Sequence, residues 1–306
     1  PKMNNKQRRG DLFVLNPESD SVEKNIRKRI GTLWAHLEAK PPIYHSFALN
    51  HLAHAEKASQ FFAAVSPEAK LPKQENSLQT ILEPFYSWHE WKWHLPQASI
   101  PLAALFTESA TARGVRNRKA IVREMEIACV DTLRVESINL LSIGGGTTPA
   151  LREMMELVVS GGHVIILDGD VVSDVNPAWV EYLPAVWRYE VRCTDPQHPE
   201  NAIAGNWRPH LVEAVGLGDR APDEMMISIL DYIHTIIPTG GWLITGSVDP
   251  GATEKQYLHQ IIHGPEIIYR SQQDLQQLLA RAGFDIDHMV FVQEPCRVFN
   301  VVAIAK

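Results

Sequence analysis

Apolar positions recur with two different periods along this chain, and the change of period divides it. From Ser21 the period is helical: Val22, Ile26, Ile30, Leu33, Trp34 and Leu37 recur every three or four residues until Lys40-Pro41-Pro42 closes the segment. A second helical stretch runs from Ile43 to Val65 and a third apolar stretch from Leu78 to Trp93, with breaks at Ser66-Pro67 and Leu71-Pro72 between them. The polar, basic residues from Pro1 to Arg9 read as a tail. Up to about residue 110 there is no glycine-rich loop and no repeat, so this portion reads as an all-helical N-terminal cap, residues 1–110.

Beyond it, short apolar runs alternate with helical ones. Ile138, Leu140, Leu141 and Ile143 make a buried strand that stops at Gly144-Gly145-Gly146, where the backbone is free to turn sharply or approach a ligand. Thr148 is a suitable N-cap and Pro149 a suitable first helical residue. Leu151, Met154, Met155, Val158 and Val159 then share one helical face, and Gly161-Gly162 is expected to end that helix. A second strand, Val164 to Leu167, delivers Asp168 at its carboxyl end, 22 positions after Gly146. Strand, glycine loop, helix, strand and acid form a βαβ unit that holds a nucleoside.

Arg188 to Arg192 is a third strand and Leu211 to Val215 a fourth, followed by a helix from Pro222 to Ile236. The turn Pro238-Thr239-Gly240-Gly241 leads into a fifth strand, Trp242 to Gly246. Ser271 caps a helix from Gln272 to Arg281, which Ala282-Gly283-Phe284 ends. Two strands follow, Ile286 to Val292 and Val298 to Ala305, joined through Glu294-Pro295 by a link too short for a crossover, so they are antiparallel. The pattern predicts an α/β fold over residues 111–306: a Rossmann-like, doubly wound, seven-stranded sheet, mostly parallel, with an antiparallel C-terminal hairpin strand.

The loop also says something about the ligand. In a dinucleotide fingerprint the third glycine lets a helix N-terminus face a pyrophosphate; here that position is Pro149, which removes a donor and adds bulk. A nucleoside without phosphate loses nothing by the exchange. The run Ser142-Ile143-Gly144-Gly145-Gly146-Thr147-Thr148 resembles the first motif of the class I S-adenosylmethionine-dependent methyltransferases, an acid, any residue, then G-x-G-x-G, with Ser142 in the acid's place and Thr148 in the last glycine's. The Pro-Thr-Gly-Gly turn and the terminal Ala-Gly-Phe plus hairpin carry the resemblance over Arg113 to Lys306.

The resemblance implies S-adenosylmethionine as cofactor, S-adenosylhomocysteine as product, and in-line transfer of a methyl group. It implies cofactor contacts at Ser142, Gly144, Gly145, Gly146 and Thr147, at Asp168 and Gly169 after the second strand, and at Gly216 after the fourth. Asp195, after the third strand, is either the adenine contact or a turn residue. In relatives the motif's acid commonly serves the methionine end. With Ser142 there, the basic run RGVRNR supplies the candidates for the cofactor's carboxylate, Arg116 first and Arg113 second; the alternative is a solvated helix face.

Composition narrows the acceptor. A net charge of -7 disfavours a nucleic-acid partner. No apolar run is long enough for an integral membrane segment, and Cys129, Cys193 and Cys296 are too scattered for a metal or disulfide framework, so a cytoplasmic location is expected. Trp88, Trp91 and Trp93, with His89 and His94, either wall an enclosed pocket for a small-molecule or lipid-like substrate or pack the cap on its neighbour. His45, His51 and His54 lack a cysteine or acid at ligand spacing, so no metal site is expected. The candidate general bases are Asp219, His210 and His89, the first two expected at the carboxyl ends of strands. Tyr269-Arg270 reads either as an anchor for an anionic substrate or as a surface pair. Two rival functions stay open: an NAD(P)-dependent oxidoreductase, and a non-catalytic S-adenosylmethionine-binding module. Nothing in the sequence speaks to oligomeric state.

Overall fold

The computed structural model describes residues 19–42, 85–86, 88–94, 97, 100–133, 135–144, 148–158, 160–168, 184–195, 198–203, 205–255, 257–258 and 267–306. The expected tail, the second helical stretch, most of the third, and His45, His51 and His54 lie outside these residues. The described helices are α1 (Ser19–Leu33), the single turn α2 (Trp88–Trp91), α3 (Ile100–Thr107), α4 (Ala110–Thr132), α5 (Pro149–Leu157), α6 (Asp223–Ile236) and α7 (Gln272–Arg281). The strands are β1 (Ile138–Ile143), β2 (Gly162–Asp168), β3 (Trp187–Cys193), β4 (Leu211–Ala214), β5 (Trp242–Val248), β6 (Met289–Gln293) and β7 (Phe299–Ala305).

The seven strands form one sheet in the order β3-β2-β1-β4-β5-β7-β6. The first five are parallel, and β7 runs antiparallel to both β5 and β6. Because side chains alternate along a strand, the central strand divides its residues between two cores. Ile138 and Leu140 face α1, α4 and α5, where Val22, Ile26, Ile30, Ile121, Val122, Met125, Leu151 and Met154 are buried. Leu141 and Ile143 face α6 and α7, meeting Met226, Ile229, Leu230, Leu275 and Leu279. A third cluster joins Phe85 and Phe106 to Val115, Tyr257, Val298 and Phe299, fastening the N-terminal helices to the start of β7.

The boundaries differ from expectation in three places. The helix after the glycine loop ends at Leu157, ahead of the glycines, and Gly162 opens β2, where a Cβ would meet Ile138 O at 2.0 Å. That glycine serves strand pairing rather than helix termination. Ile286–His288 is a 3-10 turn, because the Asp285 side chain accepts from Asp287 N–H, and β6 starts only at Met289. Thr148 precedes the helix in the left-handed region (φ 45, ψ 52) and makes no side-chain cap. Arg270 is neither a surface residue nor an anion anchor: it is buried, donates to Gly218 O and Ala221 O, and pairs with Asp223 at 2.7 Å.

α1 lies on the sheet domain itself, its apolar face part of the same core as β1 and β2. Truncating Ile26, which is fully buried, to alanine is therefore expected to cost about 2–5 kcal/mol in urea unfolding, with an unchanged slope. A loss below about 0.5 kcal/mol, the range of a surface change, would place α1 outside the cooperative core.

Candidate functional site

In an open α/β sheet the ligand crevice forms outside the carboxyl ends of the strands, where neighbours on either side of one strand connect in opposite senses. Here that strand is β1, flanked by β2 and β4. The β1 register with β2 ends at Ile143 opposite Leu167, and Gly144 N–H donates to Leu167 O at 2.8 Å as the chain leaves the sheet. Gly144 has φ 64, a conformation that favours glycine. Across the crevice, a Cβ on Gly216 would lie 2.7 Å from Gly144 O, so the turn after β4 packs directly on the loop.

Several predicted residues meet at this edge. Asp168 ends β2 and is buried, with its carbonyl accepting from Thr194 N–H after β3. Asp219 sits in the 3-10 turn Leu217–Asp219 and is buried as well. Gly145, Gly146, Thr147 and Gly169 fall outside the described residues. Thr148, which follows the loop, has a buried hydroxyl with no hydrogen-bond partner among the described residues. Asp195 is exposed, in the turn where its carbonyl accepts from His198 N–H.

Other candidates are not brought there. His210 precedes β4 and so lies at the amino edge of the sheet, opposite the crevice; its Nδ1 accepts from Asn139 N–H, and its main chain bonds to Asn139 and Trp242. The histidine knits β1, β4 and β5 together where they begin. Arg116 holds Glu38 with both arms of its fork (2.5 and 2.8 Å) and donates to Phe85 O and Thr107 O, so its guanidinium is committed within the protein. Arg113 donates to Ala39 O and lies 3.2 Å from Glu108. His89 is exposed, its Nε2 3.5 Å from Glu38 in the same network. Trp88 is buried and donates to Glu108, whereas Trp93 is three-quarters exposed.

The arginine of the basic run that reaches the crevice is Arg118. It is buried, its Nη1 donates to Asp219 Oδ2 at 2.9 Å, and its guanidinium stacks 3.9 Å from the Phe299 ring centroid. Burial acts against its charge, but Asp219 and Tyr86 outweigh that and hold its pKa above the ordinary value. Asp219 Oδ1 is buried without a partner among the described residues.

Two acids that sequence reasoning passed over complete the picture. Glu213 lies directly across from Ser142 in the β1–β4 register, and Ser142 Oγ donates to Glu213 Oε2 at 3.0 Å. Glu126, on the sheet-facing side of α4, is fully buried and neither of its oxygens has a partner among the described residues. Burial pushes Glu213 up to about 7, against the Ser142 hydrogen bond and the charge of Arg118. Burial, then the charges of Glu213 and Glu153, raise Glu126 well above the ordinary carboxylate range. The signal was in the sequence: an acid at the third position of the apolar run LVEA, and another on the apolar face of a helix.

Comparison with solved structures agrees with this geometry. The chain is similar to the crystal structure of a possible exported protein from Bordetella parapertussis, at 16% identity over 94% of this chain and 95% of that one, with a TM-score of 0.56. It is also similar to the CurJ carbon methyltransferase, at 14% identity over 94% and 89% of the two chains, with a TM-score of 0.51. No protein-family model matches the sequence, and no curated protein matches it. The chain has the class I S-adenosylmethionine-dependent methyltransferase fold. Among the described residues, no helix is long and apolar enough to cross a membrane.

The raised carboxyl of Glu213 has a consequence for stability. Between about pH 4.5 and 7 the folded protein holds a proton that the unfolded chain has released, so stability falls as pH rises, by up to about 1.4 kcal/mol per unit, and levels off above. Glu213→Gln is expected to lose that contribution. His210 and His234, lowered by burial, slope oppositely below about pH 6.5 in both proteins and cancel in the difference, which reports Glu213 together with Glu126, whose proton the charge of Glu213 helps to hold. Urea unfolding from about pH 5 to 8 measures it; a difference independent of pH would mean that Glu213 is ionised throughout.

Proposed function

We propose that this protein is an S-adenosylmethionine-dependent methyltransferase acting on a small-molecule or lipid-like acceptor. The carrying observation is the crevice at the carboxyl edge: a glycine turn at Gly144, a buried acid at Asp168 and the close-packed Gly216, followed by a helix that opens with Pro149. The proline takes away a helix-terminal donor that a pyrophosphate needs, while the acid suits ribose hydroxyls. The Thr148 hydroxyl just after the loop, buried and without a partner among the described residues, is a polar atom that such a ligand would satisfy.

Bound there, S-adenosylmethionine would supply a methyl group activated by its sulfonium charge. The protein's task in such a transfer is alignment and exclusion of water, with little covalent help. In this reading Asp168 accepts from the ribose hydroxyls, Asp195 lies on the adenine side, and the backbone of Gly144 to Thr147 and Gly216 forms the cradle. Asp219 is the candidate to take a proton from an acceptor at Oδ1, its other oxygen being fixed by Arg118. The acceptor class rests on an acidic surface and on the tryptophan-bearing helices beside the domain. The buried thiols of Cys129 and Cys296 are in keeping with a reducing, cytoplasmic setting.

Calorimetric titration separates this reading from its rivals. S-adenosylhomocysteine is expected to bind and NAD is not, and Asp168→Ala is expected to weaken the former about 10- to 100-fold, the worth of hydrogen bonds to a charged group. Binding of NAD alone would favour the oxidoreductase, and binding of neither would end the proposal. Turnover with no acceptor, despite tight S-adenosylhomocysteine binding, would leave the non-catalytic module.

A further inference from the structure

The polar layer between α4 and the middle of the sheet has more acid than base. Arg118 is committed to Asp219 at 2.9 Å; Lys119 and Arg123 are committed to Glu153 at 2.6 and 2.7 Å. Glu213 and Glu126 have no cationic partner at ion-pair distance among the described residues, and both are buried. An acid placed in a sheet interior without a counter-charge is costly, and a protein retains it most readily where a bound cation completes the balance. The layer lies one residue below the crevice: Ser142 and Glu213 are the last pair between β1 and β4, and Ile143-Gly144 leads straight into the loop.

We infer that Glu213 receives the ammonium group of the bound ligand's amino-acid end, with Ser142 as the positioning residue that fixes its carboxylate. Glu213 stands on the neighbouring strand in register with Ser142, at the same height in the sheet. This rests on the S-adenosylmethionine reading above and assigns its methionine end. An ammonium has three donors and one positive charge, which matches a carboxylate whose hydrogen bond among the described residues comes from Ser142 Oγ to one of its two oxygens. Arg116, the first candidate for that end, is held by Glu38.

The groups beside Glu213 do not supply the charge. Arg118 reaches it but is turned to Asp219, and Glu126 is a second acid with no partner among the described residues. The charged groups around Glu126 are committed as well: Arg123 is turned to Glu124 and Glu153, and Glu153 is neutralised by Lys119 and Arg123. Glu213 therefore meets the ligand as the acid of the layer nearest the edge, and it must be ionised to do so. Because burial raises its pKa, ligand binding near neutral pH releases a proton.

The test uses the full chain and two ligands that share a nucleoside: S-adenosylhomocysteine, with its amino-acid end, and 5′-methylthioadenosine, without one. For Glu213→Gln, affinity for S-adenosylhomocysteine is expected to fall about 10- to 100-fold while 5′-methylthioadenosine changes less than about 2-fold. The double variant Ser142→Asp/Glu213→Ser, which returns the acid to β1, is expected to regain most of the lost affinity. In the unaltered protein S-adenosylhomocysteine affinity rises with pH from about 6 to 7.5 with uptake of protons by the buffer, and in Glu213→Gln it is flat. Equal weakening of both ligands, or no weakening of S-adenosylhomocysteine, overturns the assignment. Failure of the unaltered protein to bind S-adenosylhomocysteine overturns the cofactor reading and this assignment with it.

Discussion

The fold depends on the pairing of β1 with β2 on one side and β4 on the other. Every residue of β1 except Asn139 is buried, and its register with both neighbours puts Gly144, Asp168 and Gly216 at one edge. A slip of one residue would turn Leu141 and Ile143 into the α4 layer and Ser142 into the layer under α6 and α7, among Met226, Ile229 and Leu230, so burial on both faces enforces the register. The close approach of Gly216 to Gly144 O follows from the same pairing, since the two turns leave adjacent strands at the same height. The turn after β4 has no room for a side chain at Gly216. The crevice is thus a result of how the sheet is wound, and its chemistry is added by the few polar residues that the sheet ends deliver.

Most of that winding could be read in the sequence because two-sided burial writes a clear pattern. Ile138 to Ile143, the start of the strand read as Trp242 to Gly246 and the final hairpin announce themselves as apolar runs, and the short link at Glu294-Pro295 forces an antiparallel pair. Amphipathic helices were equally plain, down to the Ser271 cap with its reciprocal Asp274 bond. What could not be read was which partners tertiary packing would give a side chain. The order His210, β4, Asp219 already sets the histidine at the amino edge and the acid at the carboxyl edge, so the expectation for His210 went against its own strand assignment. The choice among Arg113, Arg116 and Arg118 depended on Glu38, whose position beside α4 is a tertiary fact with no local trace.

α4 is the element through which the N-terminal helices and the sheet act on one another. Its first turn is satisfied from afar: Glu254 accepts from Ala110 and Thr111 N–H at 3.0 and 2.8 Å, and Ser109 caps Ala112. A carboxylate there also suits the positive end of the helix dipole. Gly114 lets the helix approach the start of β7, where a Cβ would stand 3.0 Å from Val298 Cβ. Two residues further, Arg116 gathers Glu38, Phe85 O and Thr107 O, and Arg118 turns to the crevice. Successive arginines on one helix thus serve different ends, one bracing the helical portion and the other fixing Asp219, because their positions around the helix face different neighbours.

The buried acids beneath the crevice set stability against function. Replacing Glu213 by an apolar residue would remove an unpaired carboxyl from the sheet interior and let β4 read as uniformly apolar, a change that similar buried charges elsewhere show to be neutral or stabilising. Its retention on a strand otherwise made of Leu, Val and Ala is therefore not explained by packing. The hydroxyl of Ser142 relieves only part of the cost, since one neutral hydrogen bond does not offset the transfer of a carboxylate from water. The protein meets the rest by keeping the group protonated near neutral pH, which stores an acid in a form that costs less until a cation arrives. A site built this way is least stable in the ionisation state in which it binds, and the ligand's own charge supplies what the fold lacks.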